Sequence, residues 1–315
     1  AQPADSQTFW KEELEQIVAP IALYPDALVA QVLMASTYPL EVVSAARWVK
    51  ANPNVKGTAL EDAMQKESWD PAVKSLAAFP QVVEMMSTKL DWTQRLGDAF
   101  LAQQKEVMAA IQTLRLKAEA NGNLKSGKEQ VVIKEQENNT TVVKIEPANP
   151  EVVYVPTYNP SVVYGTWPYP SYPPYYYYPP GYAYAPGAAL FTFGVGMAVG
   201  AALWGNCNWG GGDVNINTNR YNNFNRTNVS NKNWQHNTDH RKGVGYRDNA
   251  SREKYGRGQQ AGAQSREAFR GRAEQGRQDI AGGAADRMKG GGVGDRGGVG
   301  DRGGVGDRGG VGDRG

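Results

Sequence analysis

The sequence predicts a mainly α-helical protein: an N-terminal multi-helix domain with a small β-hairpin and strand appendage, one apolar Gly/Ala-rich segment and a largely disordered C-terminal tail. Three observations predict it. Proline-punctuated apolar runs with helical spacing fill residues 8–120, the period shifts to strand-like alternation over 128–165, and glycine-rich low complexity fills 257–315. Between these lie a Tyr/Pro-rich spacer at 166–187, the apolar segment at 188–204 and an Asn-rich, basic-aromatic stretch at 205–256.

Within 8–120, Pro25 ahead of DALVAQVLMAS suits a helix over Asp26 to Ser36, and Pro39 starts another to about Ala51. Thr58 with Glu61 has the spacing of a capping box, and Asp70 before Pro71 sets a cap beside a favoured first helical residue. Trp92, Leu96, Phe100, Val107, Ile111 and Leu114 recur at helical intervals opposite Gln103 to Glu106. That spacing predicts one long helix from Asp91 to Ala120, stopped by Asn121-Gly122.

Val131 to Ile133 and Thr141 to Ile145 flank Asn138-Asn139 and predict a hairpin. A ten-residue repeat comes next, Asn149-Pro150-Glu151-Val152-Val153-Tyr154 and Asn159-Pro160-Ser161-Val162-Val163-Tyr164, each unit expected to hold a short strand. The prolines of the Tyr-rich stretch remove backbone donors and favour polyproline II. It reads as a semi-rigid spacer, with an aromatic membrane-interface or sugar-stacking surface as the alternative.

The apolar run AALFTFGVGMAVGAALW carries no charge over seventeen residues and would rise about 25 Å as a helix, at the short end of a bilayer span. Gly194, Ala198 and Ala202, and likewise Gly196 and Gly200, stand four apart, as in close helix pairs in membranes. Phe191, Phe193, Val195, Met197, Val199 and Leu203 instead alternate with small residues, as in a strand with one bulky face. Three readings stay open: a membrane or oligomerisation helix, a strand, and a segment buried in the protein's own fold. The assembly or membrane candidates are Phe191, Phe193, Gly194, Gly196, Ala198, Gly200, Ala202 and Trp204.

From Arg220 onward 19 Lys/Arg face 11 Asp/Glu, a net +8, which leaves −6 for the residues before it. Arg241, Tyr246 and Arg247 are the candidates for contact with an anionic envelope polymer; nucleic acid is not expected. Asp213 to Arg226 reads as a short strand or an asparagine-rich arm, and the four GGVGDR repeats lack the apolar mass to fold. Residue 1 is Ala in AQPADSQ, as signal-peptide cleavage leaves behind, so export to the periplasm or envelope is expected. Cys207 is alone, which rules out an intramolecular disulfide.

No catalytic, cofactor or metal site is expected. His236 and His240 in WQHNTDHR lie four apart, but the surrounding Asn, Thr and Gly disfavour the helix that would bring them together on a metal. Glu67-Ser68 has the Glu-Ser start of lytic transglycosylases, where one glutamate serves as general acid and base. The LAAFPQVVEMM downstream of it lacks that family's glycine-rich run.

The segments ALYPDALVAQVLMASTYPLEVVSAARWV, SWDPAVKSLAAFPQVVEMM, LDWTQRLGDAFLAQQKEVMAAIQTLR, IEPANPEVVYVPTYNPSVVYG, FGVGMAVGAALWG and WQHNTDHRKGVGYRDNASREKYG occur in order. With them the chain resembles, over about Leu14 to Gly256, a bacterial family catalogued only as a domain of unknown function and found in exported proteins. The resemblance implies an envelope location and carries no catalytic residue. The function expected is a non-enzymatic structural or interaction module that associates with a membrane or self-assembles through the Gly/Ala-rich segment. A cell-wall enzyme using Glu67 and a polyanion binder acting through the tail are the alternatives.

Overall fold

The computed structural model describes residues 8–137, 139–179, 191–194, 196–198 and 201–256, and these form one unit. The GGVGDR repeats, Gly200 and residues 180–190 of the spacer and apolar run lie outside the described residues.

Among the described residues eight helices precede any strand: α1 (Lys11–Val18), α2 (Asp26–Ser36), α3 (Pro39–Ala51), α4 (Gly57–Met64), α5 (Pro71–Leu76), α6 (Pro80–Thr88), α7 (Leu90–Ala102) and α8 (Gln104–Ala120). Helix α2 is apolar nearly all round and therefore sits at the centre, against α3, α5, α7 and two strands from later in the chain. Helix α1 packs on α7 and α8, and α3 on α6. Proline opens α3, α5 and α6 where its missing N–H costs nothing. The Asp70 carboxylate caps α5 by accepting from the Ala72 N–H at 2.8 Å.

Two expectations for the helices need correction. The Thr58–Glu61 capping box is not formed, because α4 already begins at Gly57 and no side chain caps it. The long helix from Asp91 to Ala120 breaks at Gln103, whose φ of −142° and ψ of 57° leave the helical region. The Gln103 amide is bound to the backbone of Phe9, accepting from its N–H at 2.7 Å and donating to its carbonyl at 3.2 Å. This pairing holds the N-terminal end against the break, and the chain resumes as α8. Asn121-Gly122 does end α8, with Gly122 at φ +72°, Asn123 N–H bonded to the Ala118 carbonyl and Gly122 N–H to the Glu119 carbonyl, a Schellman closure.

The hairpin forms as expected from β1 (Gln130–Glu137) and β2 (Thr140–Pro147), turning with Asn139 at φ +63° and pairing Val132 with Ile145. Val142, Val143 and Ile145 are buried, and the Gln112 amide clasps both backbone groups of Val143 at 2.8 and 3.0 Å. The first repeat unit yields β3 (Val152–Val153), with β4 (Pro156–Tyr158) just after it. The second unit yields a helical turn, α9 (Pro160–Val163), and not a strand. Both units open alike, the Asn149 and Asn159 side chains each accepting at 3.0 Å from the N–H two residues on. They diverge because Val152–Val153 finds a sheet partner in the apolar run, at Met197–Ala198.

The described part of the apolar run holds two short strands and no helix. Strand β5 (Phe191–Phe193) pairs antiparallel with β4, and β6 (Met197–Ala198) with β3. The large-small alternation, not the four-residue spacing, is the period the fold uses. No single helix among the described residues is long and apolar enough to cross a membrane. Ala201 to Trp204 are buried in the core.

The stretch expected to continue as a polar tail folds back instead. Strands β7 (Gly205–Asn208) and β8 (Asp213–Ile216) form a hairpin whose first strand lies on α2, and α10 (Thr218–Asn225) and α11 (Asn249–Tyr255) come after it. Cys207, Trp209, Val214 and Phe224 join the same apolar core as α2. The spacer, over 166–179, is strapped to the helices: Gln16 donates to the Pro173 carbonyl at 2.7 Å, and Arg95 to the Tyr175 hydroxyl at 2.6 Å.

Candidate functional site

The structure relocates the residues expected to touch a polyanion. Arg241 is fully buried; its guanidinium meets the Asp98 carboxylate at 2.5 Å, the carbonyls of Thr37, Val244 and Gly245, and the face of Tyr246 at 4.3 Å. Burial pushes the Asp98 carboxyl up, with Arg241 opposing it. Arg241 and Tyr246 are therefore interior groups, corrected from surface contacts. Arg247 does lie exposed, 3.3 Å from Glu13 and over the ring of Phe9.

A second buried arginine escaped notice in the sequence. Arg115 on α8 meets Asp26 at 2.5 Å and donates to the carbonyls of Ala22, Tyr24 and Val143, while Trp209 covers its guanidinium and donates to the other Asp26 oxygen at 2.7 Å. Each arginine joins a late segment to the N-terminal helices by satisfying carbonyls that would otherwise be buried without donors.

Beside the Arg241 cluster lies a polar cleft of about 260 Å³. Asp70 and His240 line it, with the half-buried rings of Tyr221 and Trp234 and the exposed amides of Asn231, Asn233 and Gln235. Behind it, Glu41 is wholly buried: one oxygen accepts from the Asp70 N–H at 2.7 Å, the other meets His240 Nδ1 at 3.0 Å and Lys242 Nζ at 3.2 Å. Burial, reinforced by the Glu41 charge, pushes the Asp70 carboxyl up to about 6, against the Ala72 N–H and His240. His236 stacks on Tyr38 with ring centroids 5.2 Å apart and meets the Tyr246 hydroxyl at 3.0 Å; burial drives its imidazole down to about 3.

The two histidines thus serve different neighbours, and among the described residues no three His, Cys, Asp or Glu side chains are placed to hold a metal ion. Glu67 is a half-buried residue of the loop between α4 and α5 and is not among the residues lining the cleft.

A larger groove of about 790 Å³ runs beside α3, α4 and α6. Trp48, Val49, Val55, Leu60 and Met197 give it apolar surface, and its charged residues are Arg47, Lys50 and Lys56 against Glu84. Ala198, an exposed residue of β6, and Gly196 just before that strand line the groove. Several of the described assembly candidates, Gly196 among them, serve the fold itself. A Cβ on Gly196 would lie 2.6 Å from Val152 and 2.8 Å from the Tyr154 ring, Phe193 meets Tyr154 edge to face, Ala202 is buried, and Phe191 holds a β5 position. Gly194 is exposed, with ordinary space around it. Trp204 is 1% exposed and donates to Ser75 Oγ at 2.7 Å, which corrects its expected place at an interface.

Over residues 10–242 the chain matches the family model described as a protein of unknown function (DUF3300). It is 37% identical over 302 residues to the uncharacterized protein YacH of Escherichia coli (strain K12), with 76% of this chain and 49% of that protein covered. The chain spans about half the length of this curated relative. No solved structure matches it. Since the family model takes in α1 to α8, the hairpin, the groove and both Asp70 and His240, the chain belongs to the DUF3300 family of proteins of unknown function.

Proposed function

We propose that this chain is an exported, non-enzymatic interaction module of the bacterial cell envelope, and that it engages the surface of an anionic phospholipid bilayer through the groove beside β6. The observation that carries this reading is the pairing of a large apolar hollow with three cations and one carboxylate. Ligand sites are typically concave, of about 300–1,000 Å³ and mostly apolar with a few polar groups that orient the ligand. An acyl chain matches the apolar surface formed by Trp48, Val49, Leu60 and Met197, and a phosphate headgroup matches Arg47, Lys50 and Lys56. The Gly/Ala-rich segment then contributes Gly196 and Ala198 to the groove wall without spanning the bilayer. The non-enzymatic part rests on the acidic residues: Asp70 is occupied in capping α5 and Glu41 in pairing with His240 and Lys242.

Flotation of the full chain with phosphatidylglycerol vesicles tests the proposal, with phosphatidylcholine vesicles as the uncharged control. Each cation near an anionic surface contributes about 1 kcal/mol, so the triple reversal Arg47→Glu, Lys50→Glu, Lys56→Glu, which removes three cations and adds three repelling carboxylates, is expected to weaken binding by at least about a hundredfold. Absence of flotation, or equal flotation of the triple variant, overturns the lipid reading. Muropeptide release from purified cell wall that disappears with Glu67→Gln overturns the non-enzymatic one.

A further inference from the structure

The polar cleft has a chemistry that the groove does not explain. Its lining includes no Lys or Arg, and Asp70 is the carboxylate among its residues, so the cleft disfavours phosphates and other anions. Tyr221 and Trp234 offer half-buried aromatic surface, and the Trp204 ring backs Tyr221 edge to face at 4.8 Å, which fixes its orientation. Around them stand amides with unused capacity. Among the described residues the side chains of Asn233 and Gln235 make no hydrogen bond within the protein, although each carries two donors and an acceptor. His240 presents its Nδ1 to Glu41, which leaves Nε2 for a ligand.

Aromatic faces meet the C–H faces of a sugar ring, and amides and imidazole meet its hydroxyls, which both donate and accept. A volume of about 260 Å³ is that of a site for one ring, below the range of about 300 Å³ and upward typical of larger ligands. We propose that the cleft bounded by Tyr221, Trp234, Asn233, Gln235 and His240 is a binding site for an uncharged pyranose ring, the hexose or N-acetylhexosamine unit of a glycan. The hydroxyls bond to Asn233, Gln235 and His240, and the ring lies against Trp234 or Tyr221. Asp70 holds the adjoining α5 end in place and repels acidic sugars. The site is independent of the apolar groove, since the two share no lining residue.

Titration of the full chain with N-acetylglucosamine, glucose and glucuronate, monitored by tryptophan fluorescence and saturation-transfer NMR, tests this. Titrations run to about 10 mM, where even a millimolar Kd registers. At least one neutral sugar is expected to saturate, with glucuronate at least several-fold weaker. Gln235→Ala and Asn233→Ala, both at exposed positions, are each expected to weaken the neutral sugar threefold to tenfold, the value of one hydrogen bond, with the melting temperature unchanged. Trp234→Ala is expected to abolish binding; because Trp234 also packs on Phe100, the amide variants carry the decision. No saturation by either neutral sugar, tighter binding of glucuronate, or unchanged affinity in both amide variants overturns the site.

Discussion

At the scale of single residues, the charges of this protein divide into those that build its interior and those left to solvent. Arg241→Met leaves the Asp98 carboxylate buried without its ion-pair partner. It is expected to cost about 3–5 kcal/mol in urea denaturation, and adding Asp98→Leu should return most of it. Arg247→Ala removes an exposed partner of Glu13 and is expected to cost less than about 1 kcal/mol. His236 gives the acid response its sign. The unfolded imidazole takes up a proton as the pH drops below about 6.5 and the native one only near 3, so its stabilising contribution, complete at neutral pH, is lost across that window. Asp70 acts in the opposite sense, since the native carboxyl holds its proton up to about 6 and the unfolded one only to 3.8; it favours the fold as the pH falls through that interval. His236→Phe should therefore flatten the loss of stability between pH 6.5 and 3 in a urea series, and an unchanged slope would refute that assignment. Asp70 was legible in the sequence because an Asp-Pro pair at a helix start is a local signal. Arg241 was not: an arginine near tyrosine in a glycine-rich polar run looks exposed, and its partner Asp98 lies 143 residues away.

Elements were read most accurately where their boundaries are chemical. The bounds of α2 and α3, the cap of α5 and the stop of α8 all follow from Pro, Asp and Asn-Gly within a few residues. The break between α7 and α8 does not, since it depends on the Gln103 amide finding the Phe9 backbone, and apolar spacing runs through it undisturbed. The repeat units teach the same lesson: their common Asn-Pro opening sets a turn, and tertiary pairing decides between strand and helical turn after it. Close approach of elements is testable at Gly97 on α7, where a Cβ would lie 2.3 Å from the Ser36 carbonyl oxygen at the end of α2. Gly97→Ala should force those helices apart and cost about 1–3 kcal/mol in a thermal melt. A melt unchanged by the substitution would show that the contact yields freely.

Over the whole molecule, the surprise is that residues 201–256 belong to the core of the helical domain. Local composition hid this, because Asn, Gly and Arg dominate the stretch while its few large apolar residues, Trp204, Trp209, Val214 and Phe224, are the ones that pack. Truncation after Leu203 is expected to abolish the cooperative thermal transition seen by circular dichroism, since it uncovers α2 and strips Arg115 of Trp209. A retained sharp transition would mean that the eight helices fold alone. The bond from Arg241 to Asp98 and the stacking of Arg247 on Phe9 also impose an order in time. A chain emerging N-terminus first presents its helices long before the residues that close over them: α2 stays uncovered until β7 has emerged, Asp98 and Phe9 wait for Arg241 and Arg247, and contacts of such sequence separation form slowly. During that interval α2 and its neighbours keep apolar surface open to other chains, so the molecule is most exposed to aggregation before its late residues arrive.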